Sequence, residues 1–451
     1  MAATAHGYYL RSWRFGKETE EIVKAALARD RWAPDKLKAW QAERLGYVLQ
    51  RAATKVPYYR EYWAARRHRG DQSSWEILEN WPILDKDQLR ANPQAFVAED
   101  CHITQMYHEH TSGTSGKSLN LWWSRNTVRA WYALSEARWR QWYGVSRHDR
   151  WAILGGQLVT PVEQRRPPFW VWNQALHQLY MSSYHLAPQL IPYYLDAINR
   201  YGCKFLLGYT SSLYALAQEV ERLGRTDLKM SVVIANAEPL FDYQRKVIEK
   251  AFQCPVRETY GMAEIVAAAS ECEEGQLHLW PEIGVVEVFQ GENKLEDGMS
   301  GDLVCTSLLN DDMPLIRYRV GDCGSLQKHN ELCDCGRTLP ILGSVEGRVD
   351  DVLYTLDGRC IGRLDPVFKE DLPVREAQIT QESLDQIQVT YVPASDFTPK
   401  AGQAIIDGLR ARMGPINVTL TEVAEVPRGA NGKFRAVVCK IPKEQRQLLQ
   451  R

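Results

Sequence analysis

The sequence predicts an α/β protein: a large N-terminal domain of mixed and parallel sheet flanked by helices, then a small α+β domain at the C-terminus. Three observations predict it. From about 150 to 261, apolar runs of strand length ("RWAILGG", "CKFLLGY", "MSVVIANAE", "PVRETYG") alternate with segments repeating apolar residues at three and four ("PQLIPYYLDAINRYG", "TSSLYALAQEVERLG", "LFDYQRKVIEKAF"). Buried strands alternating with amphipathic helices indicate a parallel sheet. From about 280 the helical pattern fades, and "IGVVEVFQ" and "GDLVCTSL" suggest antiparallel strands. The last hundred residues mix short strands and helices, "QIQVTYV" and "AIIDGLRARMG" among them.

Upstream of the alternation, residues 18–70 read as helical. "ETEEIVKAALARD" and "KLKAWQAERLGYVLQRAATKV" carry the three-and-four spacing, and Pro57 ends the second run. "WPILDKDQLRANPQAF" reads as a turn and a short helix. "NTVRAWYALSEARWRQWYGV" is strongly periodic, and its stripe of Trp131, Trp139 and Trp142 is expected to lie in the core. "TSSLYALAQEVERLG" opens on Ser/Thr capping residues.

Composition bounds the function. The chain has 451 residues, 45% hydrophobic and 25% charged, which suits a soluble globular protein with ample core. A net charge of −1 offers no global attraction to nucleic acid or an anionic membrane. No apolar run approaches the roughly 20 residues of a membrane span. The opening "MAATAHGYYLRSWRFGKETEE" has no apolar core of a secretory signal, so a cytoplasmic location is expected. Ten cysteines are few for a disulfide scaffold of this size, so close Cys/His groups point to metal instead.

One loop stands out. "HEHTSGTSGKSLNLWWS" packs Ser112, Gly113, Thr114, Ser115, Gly116 and Lys117 together. Glycines admit an anion close to backbone N–H groups, hydroxyls donate, and a lysine adds charge, so the loop suits a phosphate. It is not a Walker loop: two residues separate Gly113 from Gly116, and position 111 is Thr. The following "SLNLWWS" puts Leu119, Leu121 and Trp123 on one side of an alternating run, which predicts a strand where a Walker loop opens a helix. A Walker-type phosphotransferase is therefore disfavoured.

Five further stretches follow in order: "NAEPL" (Asn236 to Leu240), "ETYGMAE" (Glu258 to Glu264), "RYRVGD" (Arg317 to Asp322), "EGRVDD" (Glu346 to Asp351) and "VPRGANGKFR" (Val426 to Arg435). Each alone is an ordinary turn. Together they resemble the adenylate-forming superfamily of acyl-CoA synthetases, peptide-synthetase adenylation domains and luciferases, from about residue 105 onward. The similarity is greatest to the phenylacetate-CoA ligase and CapK-like branch, which "VLQRAATKVPYYREYW" and "WPILDKDQLRANP" also fit.

That resemblance implies an ATP-dependent ligase that joins a substrate carboxylate to AMP and releases pyrophosphate, then passes the acyl group to an acceptor. It implies that Ser112, Gly113, Thr114, Ser115, Gly116 and Lys117 hold the β/γ-phosphates. Ala237, Glu238 and Pro239 would line one face of the purine, with Tyr260 in Glu258-Thr259-Tyr260 against the other. Glu264 would hold Mg²⁺, a hard ion that takes few carboxylates. Asp322 would accept from the ribose hydroxyls, Arg348 would contact ribose or phosphate, and Lys433 would bring charge to the reacting carboxylate. It further implies a large domain over 1–347 (a helical lead-in at 1–100, the nucleotide and acid site at 101–347) and a mobile lid over 348–451 that pivots near Asp350.

A metal site is also expected. "SECEEGQLHLW" and "LCDCGR" offer Cys272, His278, Cys333 and Cys335, a Cys₃His set of the kind that binds structural Zn²⁺. Similar pairs occur in phenylacetate-CoA-ligase-like proteins. The other cysteines read as scattered core or surface residues.

Substrate and acceptor stay open at this stage. Trp151, Trp170, Trp172, Tyr180, Tyr184 and Tyr209 offer walls for an aromatic acid, with Tyr209, Gly261, Met262 and Ala263 nearest the nucleotide stretches. Gly208 and Tyr209 precede a helix at the C-terminal edge of the sheet, where open α/β sheets bind ligands. After Asp351, Gly358 and Ile361 fit a CoA-forming pattern, but Gly362 stands where proline is usual. The acceptor is therefore CoA, or an amine or hydroxyl on the CapK-like reading. A homodimer is compatible with the chain, and so is a non-catalytic adenylate-binding scaffold. Lys433, Glu264 and Asp322 argue against the scaffold.

Overall fold

The computed structural model describes residues 2–110, 119–157, 159–161, 164, 166–328, 333–348, 353–354, 360–361, 372–427, 435–442 and 445. Helices α1 (Ala2–Arg14), α2 (Thr19–Arg29), α3 (Pro34–Lys55), α4 (Pro57–His68) and α5 (Lys86–Ala91) come first. Pro57 ends the pattern of α3 and also opens α4, because a first-turn proline sacrifices no hydrogen bond. Asp85 and Gln88 form a capping box at α5. Helix α1 was not anticipated from the sequence: its residues carry few apolar repeats, and it packs on α6 and on the strand at Trp170.

A hairpin of β1 (Tyr107–His110) and β2 (Asn120–Trp123) flanks the glycine-serine loop. The strand after the loop is as expected, but its alternation is not: Leu121, Trp122 and Trp123 are all buried, because both faces of β2 are covered. Helix α6 (Arg125–Ser135) then runs into a π-helical turn at Glu136–Arg140. Trp131 and Trp139 pack on buried Trp280, so this part of the aromatic stripe lies half-buried against the core.

The alternating region builds one half of a large sheet. Its strands are β3 (Trp151–Gly155), β4 (Trp170–Asn173), β5 (Gln178–Ser182), β6 (Phe205–Tyr209), β7 (Val232–Asn236) and β8 (Val256–Gly261). Helices α7 (Ile191–Tyr201), α8 (Thr210–Arg222) and α9 (Asp242–Phe252) connect them. The other half contains β9 (Ala268–Glu271), β10 (Leu277–Leu279), β11 (Gly284–Gln290), β12 (Asn293–Lys294), β13 (Ser300–Ser307), β14 (Tyr318–Leu326) and β15 (Ile341–Arg348). The order across the 13 strands is β12-β11-β13-β14-β15-β10-β9-β8-β7-β6-β3-β5-β4. Strands β5, β3, β6, β7 and β8 are parallel, and from β8 onward the pairing turns antiparallel. The antiparallel half begins at β9, ahead of the change of pattern near residue 280.

Helices α3 and α4 cover the antiparallel half through one apolar core that includes Tyr59, Trp81, Phe96 and Tyr318. The parallel half has its own core around Leu154, Leu206 and Val233. After it come β16 (Leu353–Tyr354), β17 (Cys360–Ile361), β18 (Val374–Ser383), β19 (Gln386–Pro393), helix α10 (Pro399–Met413), β20 (Asn417–Glu422) and β21 (Val437–Cys439). The last four strands form a separate sheet in the order β20-β19-β18-β21. Its core is separate too, with Ile379, Val389, Ile405 and Leu409 buried. The small α+β unit is thus a second, C-terminal module. Among the described residues, no helix is long and apolar enough to cross a membrane.

Candidate active site

The turns that leave the C-terminal ends of β6, β7 and β8 lie side by side, because these strands are parallel neighbours: Tyr209 pairs with Asn236, and Asn236 with Thr259. Ligands bind at this edge of an open α/β sheet because the helices that follow point their N-termini at it. Three of the expected stretches thus converge. Tyr209 ends β6, Ala237-Glu238-Pro239 follows β7, and Glu258-Thr259-Tyr260-Gly261 ends β8 and leads into Met262, Ala263 and Glu264.

Local chemistry fixes each of them. Gly208 has no alternative side chain: a Cβ there would lie 2.8 Å from the Leu154 carbonyl oxygen. Ala237 has φ 61°, in the left-handed region. The Thr259 hydroxyl donates to the Ala235 carbonyl at 3.1 Å, which ties β8 to β7. The Glu258 N–H donates to Glu271 Oε2 at 2.6 Å. Glu238 is 9% exposed, and its carboxylate accepts from the Ser211 N–H at 2.8 Å.

From the antiparallel half, β14 brings in "RYRVGD". The Tyr260 hydroxyl donates to Asp322 Oδ2 at 2.8 Å, and the Tyr318 hydroxyl donates to Glu264 Oε1 at 2.9 Å. Glu264 is 7% exposed and Tyr318 is fully buried. Burial first, and then the facing carboxylate, push both phenols far above the usual tyrosine range, so both stay neutral donors. Lys86 Nζ lies 3.9 Å from Glu264 Oε1. Arg348 pairs with Asp322 in the β14–β15 register, which brings its backbone to the same strand end. Lys433, Asp350 and the loop Ser112, Gly113, Thr114, Ser115, Gly116, Lys117 lie outside the described residues.

Two residues at this site escaped the sequence reading. Tyr318 sits inside a quoted motif, and the signal was available: a tyrosine four residues before a carboxylate occurs in both "YGMAE" and "YRVGD". Lys86 gave no signal, since it comes from a distant helix start.

The Cys/His set is brought together by three neighbouring strands. Cys272 follows β9, His278 lies in β10, and Cys333 and Cys335 precede β15, which pairs with β10. The ligand atoms all lie within 4.8 Å of one another. Cys272 Sγ is 3.7 Å from Cys333 Sγ, and Cys335 Sγ is 3.3 Å from His278 Nε2. A tetrahedral Zn²⁺ sets such edges at about 3.7 Å between sulfurs and about 3.5 Å between sulfur and nitrogen. His278 Nδ1 contacts the Leu339 carbonyl at 3.1 Å, which leaves Nε2 for the thiols. Burial lowers His278 and so favours the neutral, ligating form. Burial pushes the Cys333 thiol up to about 12. The donor set fits zinc.

The chain is similar to several known proteins. Residues 353–440 match the family model described as the CapK C-terminal domain. Protein CapK of Staphylococcus aureus is 26% identical over 344 residues, 75% of this chain and 74% of that protein. A phenylacetate-coenzyme A ligase of Pseudomonas putida is 29% identical over 339 residues, covering 71% and 72%. One from Thermus thermophilus is 25% identical over 448 residues, covering 90% and 96%. Among solved structures, a 2-hydroxyisobutyryl-CoA ligase in its postadenylation state with R3-HIB-AMP superposes with a TM-score of 0.71 at 19% identity, covering 94% of each chain.

Proposed function

We propose that this chain, which belongs to the CapK and phenylacetate-CoA ligase branch of the adenylate-forming superfamily, activates a carboxylic acid as its acyl-AMP with release of pyrophosphate and then transfers the acyl group to CoA. The observation that carries the reading is the meeting of the Tyr260–Asp322 and Tyr318–Glu264 pairs beside the turn after β7.

The first step joins two anions, so the site must supply positive charge and fixed donors. Asp322 holds the ribose hydroxyls, with Tyr260 fixing the carboxylate and lying along the purine. Ala237, Glu238 and Pro239 form the purine's other wall. Lys86 adds a cation at Glu264, and Lys117 and Lys433 add two more from the glycine-serine loop and the small module. The acid carboxylate attacks the α-phosphorus, and the bond to the pyrophosphate oxygen breaks. Glu264 suits Mg²⁺, since an oriented hard-oxygen ligand is what that ion takes; bound there with ATP, it neutralises phosphate charge.

Tyr209, Gly261, Met262 and Ala263 line the acid pocket, and an aromatic acid fits the tyrosine and tryptophan content of the region. The C-terminal module, 348–451, turns about Asp350 after the first step and withdraws Lys433 so that the acceptor can enter. The four-ligand Cys272, His278, Cys333, Cys335 site holds a structural Zn²⁺, which clips the β9–β10 hairpin to the segment before β15. A second reading, transfer to an amine or hydroxyl, is favoured by one observation: residues 353–440 match the CapK C-terminal domain.

The test is acid-dependent ATP–pyrophosphate exchange over a panel of aromatic and aliphatic acids, followed by chromatography of the product with CoA. Exchange with no acid in the panel, phenylacetate included, would reject the adenylation reading. Exchange without thioester would favour the second acceptor class.

A further inference from the structure

Helix α8 opens at Thr210 behind Tyr209, whose side chain supplies no cap. The first N–H groups of a helix lack intrahelical partners, and a nearby side-chain oxygen normally takes one. Here that oxygen arrives from Glu238, 27 residues further along the chain: the Ser211 N–H donates to Glu238 Oε2 at 2.8 Å. A second bond runs the same way, from Thr210 Oγ1 to the Glu238 carbonyl at 3.1 Å. A negative charge also suits the positive end of the helix.

The two segments joined in this way have different tasks. Ala237, next to Glu238, holds a left-handed φ of 61°, which an L-residue keeps only when its surroundings fix it. Tyr209 sits at the start of α8. We propose that Glu238 is a positioning residue that couples the purine-facing turn after β7 to the acid-facing start of α8. The coupling rests on the nucleotide and acid assignments above.

The turn cannot shift without pulling the cap off the helix, and the helix start cannot fray without freeing the turn. A ligand that orders one therefore orders the other, and the second ligand meets a site already set. The side chain acts through Ser211, so what it must offer is an acceptor oxygen; an amide oxygen serves as well.

The test compares wild type, Glu238→Gln and Glu238→Ala by AMP titration and by hydrogen–deuterium exchange of residues 207–216. AMP is expected to slow exchange there in wild type and in Glu238→Gln, and to leave it unchanged in Glu238→Ala. AMP affinity should fall by about fivefold in Glu238→Ala and by less than about twofold in Glu238→Gln, the difference a lost cap makes. Equal losses in both variants would overturn the proposal, because they would make the charge itself the contact. AMP binding to wild type with no protection of 207–216 would overturn it as well. Wild type that binds no AMP would instead remove the nucleotide assignment, and the coupling with it. Should Glu238→Ala fail to fold, Thr210→Val removes the second link alone and is expected to weaken the AMP-dependent protection. Full protection in that variant would count against the coupling.

Discussion

Tyr318 and Glu264 form one half of a reciprocal pair: the Tyr318 hydroxyl donates to Glu264 at 2.9 Å, while Tyr260, four residues before Glu264, donates to Asp322 at 2.8 Å, four residues after Tyr318. Each strand end thus contributes one phenol and one carboxylate, and each phenol aims the other strand's acid. The expected consequence is that Tyr318→Phe leaves the fold intact but frees the Glu264 carboxylate to rotate. Loss of such an orienting bond typically weakens metal binding by roughly 10- to 100-fold. The Mg²⁺ concentration for half-maximal pyrophosphate exchange should rise accordingly, and Mn²⁺ binding followed by electron paramagnetic resonance should weaken in parallel. An unchanged metal dependence would contradict the role.

Asp322→Ala should raise the Michaelis constant for ATP more than that for the acid, since a ribose contact is present in ground and transition states alike. It also strands the half-buried Tyr260 hydroxyl, a penalty of up to about 1 kcal/mol, at the low end of that for a buried donor. Asp322→Ala,Tyr260→Phe should therefore recover stability without recovering ATP affinity. Thermal melts and initial rates separate the two.

Lys433→Ala should lower acid-dependent pyrophosphate exchange by about 10²–10³, the usual effect of removing one fixed charge from a transition state. Circular dichroism should be unchanged. Near-normal exchange in a folded variant would remove Lys433 from the first step.

Metal analysis of protein purified without added metal should return about one zinc per chain. Cys333→Ser should lose the metal and thermal stability together, because binding energy at such a site is folding energy. A metal-free wild type with full stability would mean that the four side chains are ordinary neighbours.

Arg138 is fully buried between Asp30 and Glu282, at 2.8 Å from each. Arg138→Met leaves buried Asp30 without its counter-ion and Glu282 with Arg29 alone, and should cost about 3–5 kcal/mol, measured by denaturant unfolding. A loss under about 1 kcal/mol would mean that Arg29, which also reaches Glu282, carries the network.

Much of this was legible in the sequence because strand–helix alternation is a local signal. The strands from "RWAILGG" to "PVRETYG" could be read from continuous apolar runs, and β11 and β13 from their alternation. Strands β4 and β5 were not read: "WVWN" is an edge strand with one buried residue, and its aromatics looked like a store of ring surface. The π-turn at Glu136–Arg140 was hidden too, since Glu136, Arg138 and Arg140 are buried charges that a periodicity argument assigns to solvent. The cysteine pairs carried the right ligand types, but only the β9–β10–β15 pairing brings them within reach. Lys86 belongs to the site by the packing of α5 on β14 alone.

The N-terminal helices have a consequence for how the chain is made. Their partners come late in the sequence: Asp30 accepts from Thr338, Arg44 and Arg51 reach Asp311, and Leu84 hydrogen-bonds to Arg317 and Arg319. At about 5–20 residues per second, a ribosome takes on the order of tens of seconds to travel from the one set to the other. During that interval Tyr59 and Trp63 can pack on Trp81 and Phe96, but the part of their core that β13, β14 and the segment between them supply is missing. The nascent chain is therefore expected to depend on holding chaperones over its first third, and to be prone to aggregation when translation is truncated before β14.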